Sequence, residues 1–199
     1  MERVTAARLG GVVVVLENLH DPHNGGAVLR SCEAVGLLEI HVVGGEFAAS
    51  ERVTQGSDKW LDIRRDKGIE SCASDLKARG FKLYASIPGA EIPLEELDPI
   101  VPAAFLMGNE HAGLTDGARA LCDAEYALPL QGFSQSLNLS VATAITVYTH
   151  ARRRRLALGR NGDLDEEALD RLRARYLRKD VRGADAIVAR HLARTLPAK

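Results

Sequence analysis

Residues Gly11 to Leu16 read Gly-Val-Val-Val-Val-Leu, a continuous β-branched run of the kind found in a strand buried on both faces. A strand of that type needs a cover on each side of its sheet. The rest of the chain provides one by alternating apolar strand patterns, at 38–43, 81–86, 103–107 and 126–130, with helical patterns at 25–36, 69–79 and from Thr115 to Leu121. The connections are too long for hairpins, so the expected fold is α/β, a mostly parallel sheet with helices on both faces. Residues 60–63 are expected as a short edge strand and 92–98 as a helical turn. Asn24 is read as the N-cap of the first long helix, with Gly36 as its left-handed stop.

In such a sheet a ligand sits just past the carboxyl ends of the strands. The polar loops at 17–24, 86–89, 108–113 and 131–138 follow strands and are expected to gather there. The most unusual stretch is Leu128 to Ala144, a polar turn with Gln131, Ser134, Gln135 and Ser136 set between an apolar strand and a helix from Asn138 to about Leu156. It reads equally as a tight capped connection or as a ligand loop. The small residues that open this helix predict packing on more than one face.

Charge is unevenly placed. Residues 1–150 hold 12 Lys/Arg against 20 Asp/Glu, and residues 151–199 hold 14 against 7. The run Arg152, Arg153, Arg154, Arg155 begins a basic carboxyl-terminal region, which reads as a polyanion-binding surface, as a contact for an acidic subunit, or as a solvated helix face. After Gly159-Arg-Asn-Gly162, helices are expected from Asp165 to about Arg178 and from Arg182 to Leu196, so the division is a core domain over 1–157 and a basic helical extension over 158–199. No apolar run approaches membrane-spanning length, and the first residues lack a secretory h-region, which makes a cytoplasmic protein the expectation. Cys32, Cys72 and Cys122 read as reduced core thiols, and no His or Cys pair has zinc-ligand spacing. No Rossmann or Walker A glycine pattern is present.

Three stretches together resemble the SpoU/TrmH branch of the SPOUT RNA methyltransferases: Asn24-Gly-Gly-Ala-Val-Leu-Arg30, Leu106-Met-Gly-Asn-Glu-His-Ala-Gly-Leu114, and Leu128 to Ala142. Their order and spacing carry the resemblance, which covers about residues 11–157. The segment Glu17 to Asn24 and Gln55-Gly-Ser-Asp-Lys-Trp60 are most similar to the type that 2′-O-methylates the guanosine at position 18 of the tRNA D-loop.

The resemblance implies a parallel α/β fold with a deep carboxyl-terminal trefoil knot, a homodimer with its active site at the subunit interface, and S-adenosylmethionine held by the knotted loops. Ser86, Gly108, Leu128, Leu130 and Leu137 match cofactor-binding positions. Arg30, Asn24, Glu110, Ser136 and Asn138 match catalytic ones. Arg30 is implied either as the base for the ribose hydroxyl or as the holder of substrate phosphate and developing alkoxide. His23, Arg8, Arg152, Arg153, Arg154 and Arg155 are expected to bind RNA, and no metal is needed. The alternatives are 2′-O-methylation of another tRNA position or of ribosomal RNA, or a catalytically inactive RNA-binding relative. Members of the tRNA type usually carry a basic helix before the first strand. Here only Arg3 and Arg8 stand for it, so the carboxyl-terminal arginines do most of the gripping, the start is incomplete, or the substrate differs. The lack of an amino-terminal RNA-binding domain favours tRNA.

Overall fold

A computed structural model describes residues 1–45, 54, 56–186 and 190. Gln55 and most of the helix expected over 182–196 lie outside the described residues. Seven strands form one sheet in which every pairing is parallel: β1 (Leu9–Glu17), β2 (Leu37–Val43), β3 (Asp62–Asp66), β4 (Lys82–Ser86), β5 (Ile92–Pro93), β6 (Ala103–Met107) and β7 (Ala124–Ala127), in the order β3-β2-β1-β6-β4-β7-β5. The helices are α1 (Glu2–Ala6), α2 (Pro22–Val35), α3 (Ile69–Ala78), α4 (Asp116–Ala120), α5 (Leu139–Leu158) and α6 (Glu166–Asp180).

The valine run of β1 explains the layering. Side chains alternate across a strand, so Val12, Val14 and Leu16 enter one core while Val13 and Val15 enter the other. The first core is closed by Val28, Leu29 and Cys32 of α2 and by Leu139, Val147 and Ala151 of α5. The second is closed by Ile69, Cys72, Ala73 and Leu76 of α3 and by Ala118 of α4. Both faces of the sheet are therefore covered, as the continuous apolar run requires.

Several local expectations change. Asn24 is not the N-cap of α2: Asp21 is, accepting from the His23 N–H at 2.8 Å, with Pro22 at the first helical position. Proline has no N–H to lose there and its φ suits a helix start, so the helix begins three residues earlier and Asn24 lies in its first turn. Gly36 does end it, at φ +96. The segment expected as a helical turn at 92–98 is a two-residue strand followed by a 3-10 turn, because Ile92 and Pro93 pair with Tyr126 and Ala127. Asn138 caps α5 as expected, accepting from the N–H of Ser140 and of Val141.

Helix α5 packs on one side only within the chain. Thr143, Val147, His150 and Ala151 are buried, but Val141, Ile145, Tyr148 and Leu156 form an exposed stripe on the other side. Among the described residues no helix is long and apolar enough to cross a membrane. The three cysteines are free thiols, with Cys32 and Cys72 buried.

The arginines expected to meet RNA need the largest correction. Arg8 is 1% exposed, pairs with Glu33 and donates to the Glu33 and Leu37 carbonyls at 3.0 and 3.2 Å. Arg154 is 6% exposed and is bonded to Asp163 and to the carbonyls of Pro99 and Ile100 at 2.8, 2.9 and 2.7 Å. Arg153 donates to the Leu94 and Leu97 carbonyls, and Arg155 to those of Ala7, Val35 and Asn161. A planar guanidinium with five donors suits such carbonyl clusters. Of the run, only Arg152 is exposed with no partner among the described residues.

The carboxyl-terminal segment is keyed into the core. Asp163 accepts from the N–H groups of Gly10 and Gly11, and a Cβ at Gly11 would lie 2.3 Å from the Arg154 guanidinium. Helix α6 buries Leu172 and Tyr176, and the Tyr176 hydroxyl donates to the Trp60 carbonyl at 2.7 Å.

Candidate active site

The ends of β4, β6 and β7 and the start of α5 enclose a cavity of about 370 Å³, a size that suits a nucleoside-bearing ligand. Ser86, Gly108, Leu128, Leu130 and Leu137, the five positions expected to hold the cofactor, all line it, together with Glu110 and Ser136. Ile87, Pro88, Met107, Asn109, Gly113, Leu139 and Ala142 complete most of the wall. Its lining is mainly apolar side chains and backbone, with Glu110 and His111 as the titratable groups.

Three of the lining loops leave the carboxyl ends of parallel strands. β7 stops at Ala127 because Pro129 has no N–H to continue a ladder, which frees residues 128–137 to form the wall. The loop after β6 closes into a tight ring. Asn109 Oδ1 accepts from the N–H groups of His111 and Ala112 at 2.9 and 2.8 Å, and Gly113 takes φ +69. A Cβ on Gly108 would lie 2.0 Å from the Gly113 carbonyl carbon, so only glycine fits. Asn109 and Gly113 were not singled out as site residues from sequence; the Asn that follows a strand, with glycines on either side of the loop, is the signal that marks them.

The fourth loop joins through a hydrogen-bonded chain. Asn24 Nδ2 donates to Glu110 Oε1 at 2.6 Å, and Asn138 Nδ2 donates to Asn24 Oδ1 at 3.0 Å. The Asn138 oxygen accepts from Ser140 N–H at 2.9 Å and Ser140 hydroxyl at 2.6 Å. Thus one residue from each of the three motifs is held in a fixed orientation. Asn24 is 8% exposed, and both ends of its amide are used. The far side of the loop is anchored by Glu17 at the end of β1, which accepts from Thr115.

Arg30 is not brought to the cavity by a single chain. It is exposed, lies six residues beyond Asn24 on α2, about 9 Å along the axis, and has no bonded partner among the described residues. His23 is exposed beside Asn24, with its backbone N–H on Asp21.

A parallel α/β sheet with its cavity at the strand carboxyl ends, lined mainly by apolar side chains and backbone with a few polar groups, is the framework of a nucleotide- or cofactor-binding enzyme. Residues 11–148 match the SpoU rRNA Methylase family. The chain belongs to that family. It is 38% identical over 184 residues to the tRNA (guanosine(18)-2'-O)-methyltransferase of Thermus thermophilus, covering 90% of this chain and 94% of that one. The TrmH/SpoU tRNA modifying enzyme of A. aeolicus superposes with a TM-score of 0.79 at 30% identity, covering 91% and 95%. AviRb from Streptomyces viridochromogenes, a SpoU methyltransferase solved in complex with AdoMet, superposes at 0.67 with 27% identity, covering 71% of this chain and 60% of that one.

Proposed function

We propose that this chain transfers a methyl group from S-adenosylmethionine to a ribose 2′-oxygen of tRNA, at guanosine 18 of the D-loop. The observation that carries the reading is the Glu110–Asn24–Asn138 chain at the edge of the cavity formed by Ser86, Gly108, Leu128, Leu130 and Leu137. The likeness over most of the chain to relatives named for guanosine 18 supports the choice of substrate.

The cavity fits the cofactor chemically. Leu128, Leu130, Leu137 and Met107 offer an apolar sandwich for an adenine ring, and the absent Cβ of Gly108 brings backbone close. When bound, S-adenosylmethionine supplies an electrophilic methyl group on a positively charged sulfur. Glu110 is the acidic side chain lining the cavity, so it is placed to favour that positive charge and to hold Asn24. Asn24 and Asn138 orient the ribose, Ser136 shapes the loop, and Ser86 closes the far side. With the cofactor bound, the ribose 2′-oxygen would take the methyl group from the sulfur, which would leave as a neutral thioether, while the hydroxyl proton would pass to solvent water; alignment of the two reactants by Asn24 and Asn138 would supply much of the rate.

Arg30 enters this scheme across a homodimer interface, as the group that holds substrate phosphate and the developing alkoxide. The exposed stripe of Val141, Ile145, Tyr148 and Leu156 is the surface we assign to that interface. The trefoil knot of the SPOUT fold is part of the same reading, with residues 128–144 as the knotted segment. Residues 1–157 form the catalytic domain and 158–199 an extension whose Asp163 and helix α6 dock on it. His23 stays as an RNA contact and Arg152 falls within the interface stripe, between Tyr148 and Leu156, whereas Arg8, Arg153, Arg154 and Arg155 serve the fold.

The test is transfer of labelled methyl groups to an unmodified tRNA transcript, with the product mapped by mass spectrometry. Incorporation at guanosine 18, and none when that nucleotide is 2′-deoxy, is expected. Incorporation at another nucleotide or only into ribosomal RNA would change the substrate, and none at all would leave an RNA-binding protein.

A further inference from the structure

On the α3 face of the sheet, away from the cavity, His41 of β2, Asp66 at the end of β3 and Cys72 in the first turn of α3 bring three ligand atoms within 4.8 Å of one another. His41 Nδ1 lies 2.6 Å from Asp66 Oδ2 and 3.3 Å from Cys72 Sγ. His41 is fully buried, Cys72 is 1% exposed, and the Asp66 side chain keeps 21% of its surface. None of these groups has a part in the chemistry described above.

The other side of the imidazole is fixed from outside. His41 Nε2 is 2.6 Å from Glu39 Oε1, and the Arg79 fork donates to both oxygens of Glu39 at 2.7 and 2.8 Å. A carboxylate on one ring nitrogen, itself gripped by an arginine, is the outer arrangement that aims the opposite nitrogen of a histidine at a metal. One imidazole nitrogen, one thiolate and one carboxylate form a donor set suited to zinc, and the exposed edge of Asp66 leaves a fourth position for water.

The site also lies at one edge of the sheet. β3 is an edge strand with no fully buried residue, and Ile63 is its contact with the first core. Directly before it lies the Ser57–Trp60 turn that receives Tyr176 of α6. We propose that His41, Asp66 and Cys72 bind a structural zinc ion that clips β3 to β2 and α3. The ligands lie 25 and 31 residues from His41, so no local spacing motif records them.

The test uses the full-length protein, stripped with a chelator and dialysed. Zinc chloride is titrated in competition with a chromophoric chelator, and cobalt(II) chloride is added separately as a spectroscopic probe. One equivalent per chain is expected, with a cobalt–thiolate charge-transfer band and a rise in Tm of roughly 5 to 10 °C at a hundredfold excess of zinc over Kd. Cys72→Ser abolishes the thiolate band and weakens zinc binding at least about a hundredfold, as expected for loss of one of three ligands. Asp66→Asn, at a partly exposed position, provides the second variant should the first fail to fold, and it weakens binding in the same direction. No uptake by the wild type, or equal uptake by wild type and Asp66→Asn, overturns the proposal. Because uptake is read without RNA or S-adenosylmethionine, the result stands apart from the methyltransfer assay.

Discussion

Glu17 and Thr115 lock the carboxyl end of β1 to the start of α4. Glu17 is 4% exposed, and its two oxygens accept from the Thr115 N–H at 2.9 Å and hydroxyl at 2.8 Å. The same hydroxyl accepts from Ala118 N–H at 3.1 Å as the helix cap. The ring of residues 108–114, which carries Glu110 and lines the cavity, is thereby held at its far end as well as at β6.

Thr115→Val keeps the side chain's shape and removes the hydroxyl. It leaves one oxygen of a buried carboxylate unsatisfied and removes the cap, for a combined loss of about 2 to 3 kcal/mol. Thermal melts would show that loss, and calorimetric titration should show S-adenosylmethionine binding weakened about tenfold, equal to about 1.4 kcal/mol. Thr115→Ser restores both. A lower Tm with unchanged cofactor affinity would mean that the pair stabilises the fold without setting the loop.

Asp163 and Arg154 join the carboxyl-terminal segment to β1 and to the carbonyls of residues 99–101. Their side chains are 5% and 7% exposed, so removing one charge leaves the other buried without its partner. Asp163→Ala is expected to cost about 3 to 5 kcal/mol in denaturant unfolding. A cost below about 1 kcal/mol, the scale of a surface pair, would contradict this placement.

His150 on α5 is fully buried against Phe105, and neither ring nitrogen has a partner among the described residues. Burial, aided by Arg153 and Arg154, lowers its pKa from 6.5 to about 4. A base whose pKa is depressed by folding takes up its proton in the unfolded chain first. Stability is therefore unaffected above pH 6.5, falls as pH drops through the window, and reaches its full loss of about 3 kcal/mol below pH 4. Unfolding free energies measured across this range should decline in the wild type and decline less in His150→Leu. Parallel curves for the two proteins would refute the assignment.

If Arg30 works across a dimer interface, Arg30→Ala and Asn24→Ala chains should complement each other. Each variant alone is inactive. After subunit exchange at equal concentrations, half of the dimers are mixed and each holds one intact composite site, restoring about a quarter of the wild-type rate. No recovery in demonstrably mixed dimers would place Arg30 and Asn24 in the same subunit's site.

The parallel sheet was legible because the valine run of β1 has only one way to be buried, between two helical layers. The gathering of the loops followed from it. The N-terminus of α2 was misread because Asn24 and Asp21 are both good caps, and the decision fell to Pro22, whose missing N–H fits the first helical position. The arginine run was misread for a different reason. Whether a guanidinium meets solvent or carbonyls depends on chain segments far away: Arg155 reaches Ala7 and Val35, and Arg154 reaches Pro99 and Ile100. The link of Asn24 to Glu110 and Asn138 joins residues 86 and 114 positions apart, so periodicity offers no sign of it, and only the family resemblance brought the three together beforehand.

The most direct measurement is single-turnover methyl transfer to tRNA by Asn24→Ala, with S-adenosylmethionine affinity determined on the same preparation. Asn24 sits between Glu110 and Asn138 and does not line the cavity, so cofactor Kd should stay within about threefold while the rate of the chemical step falls at least about a hundredfold, a loss of about 2.7 kcal/mol in the transition state. A rate close to wild type with this chain of amides broken would contradict the account.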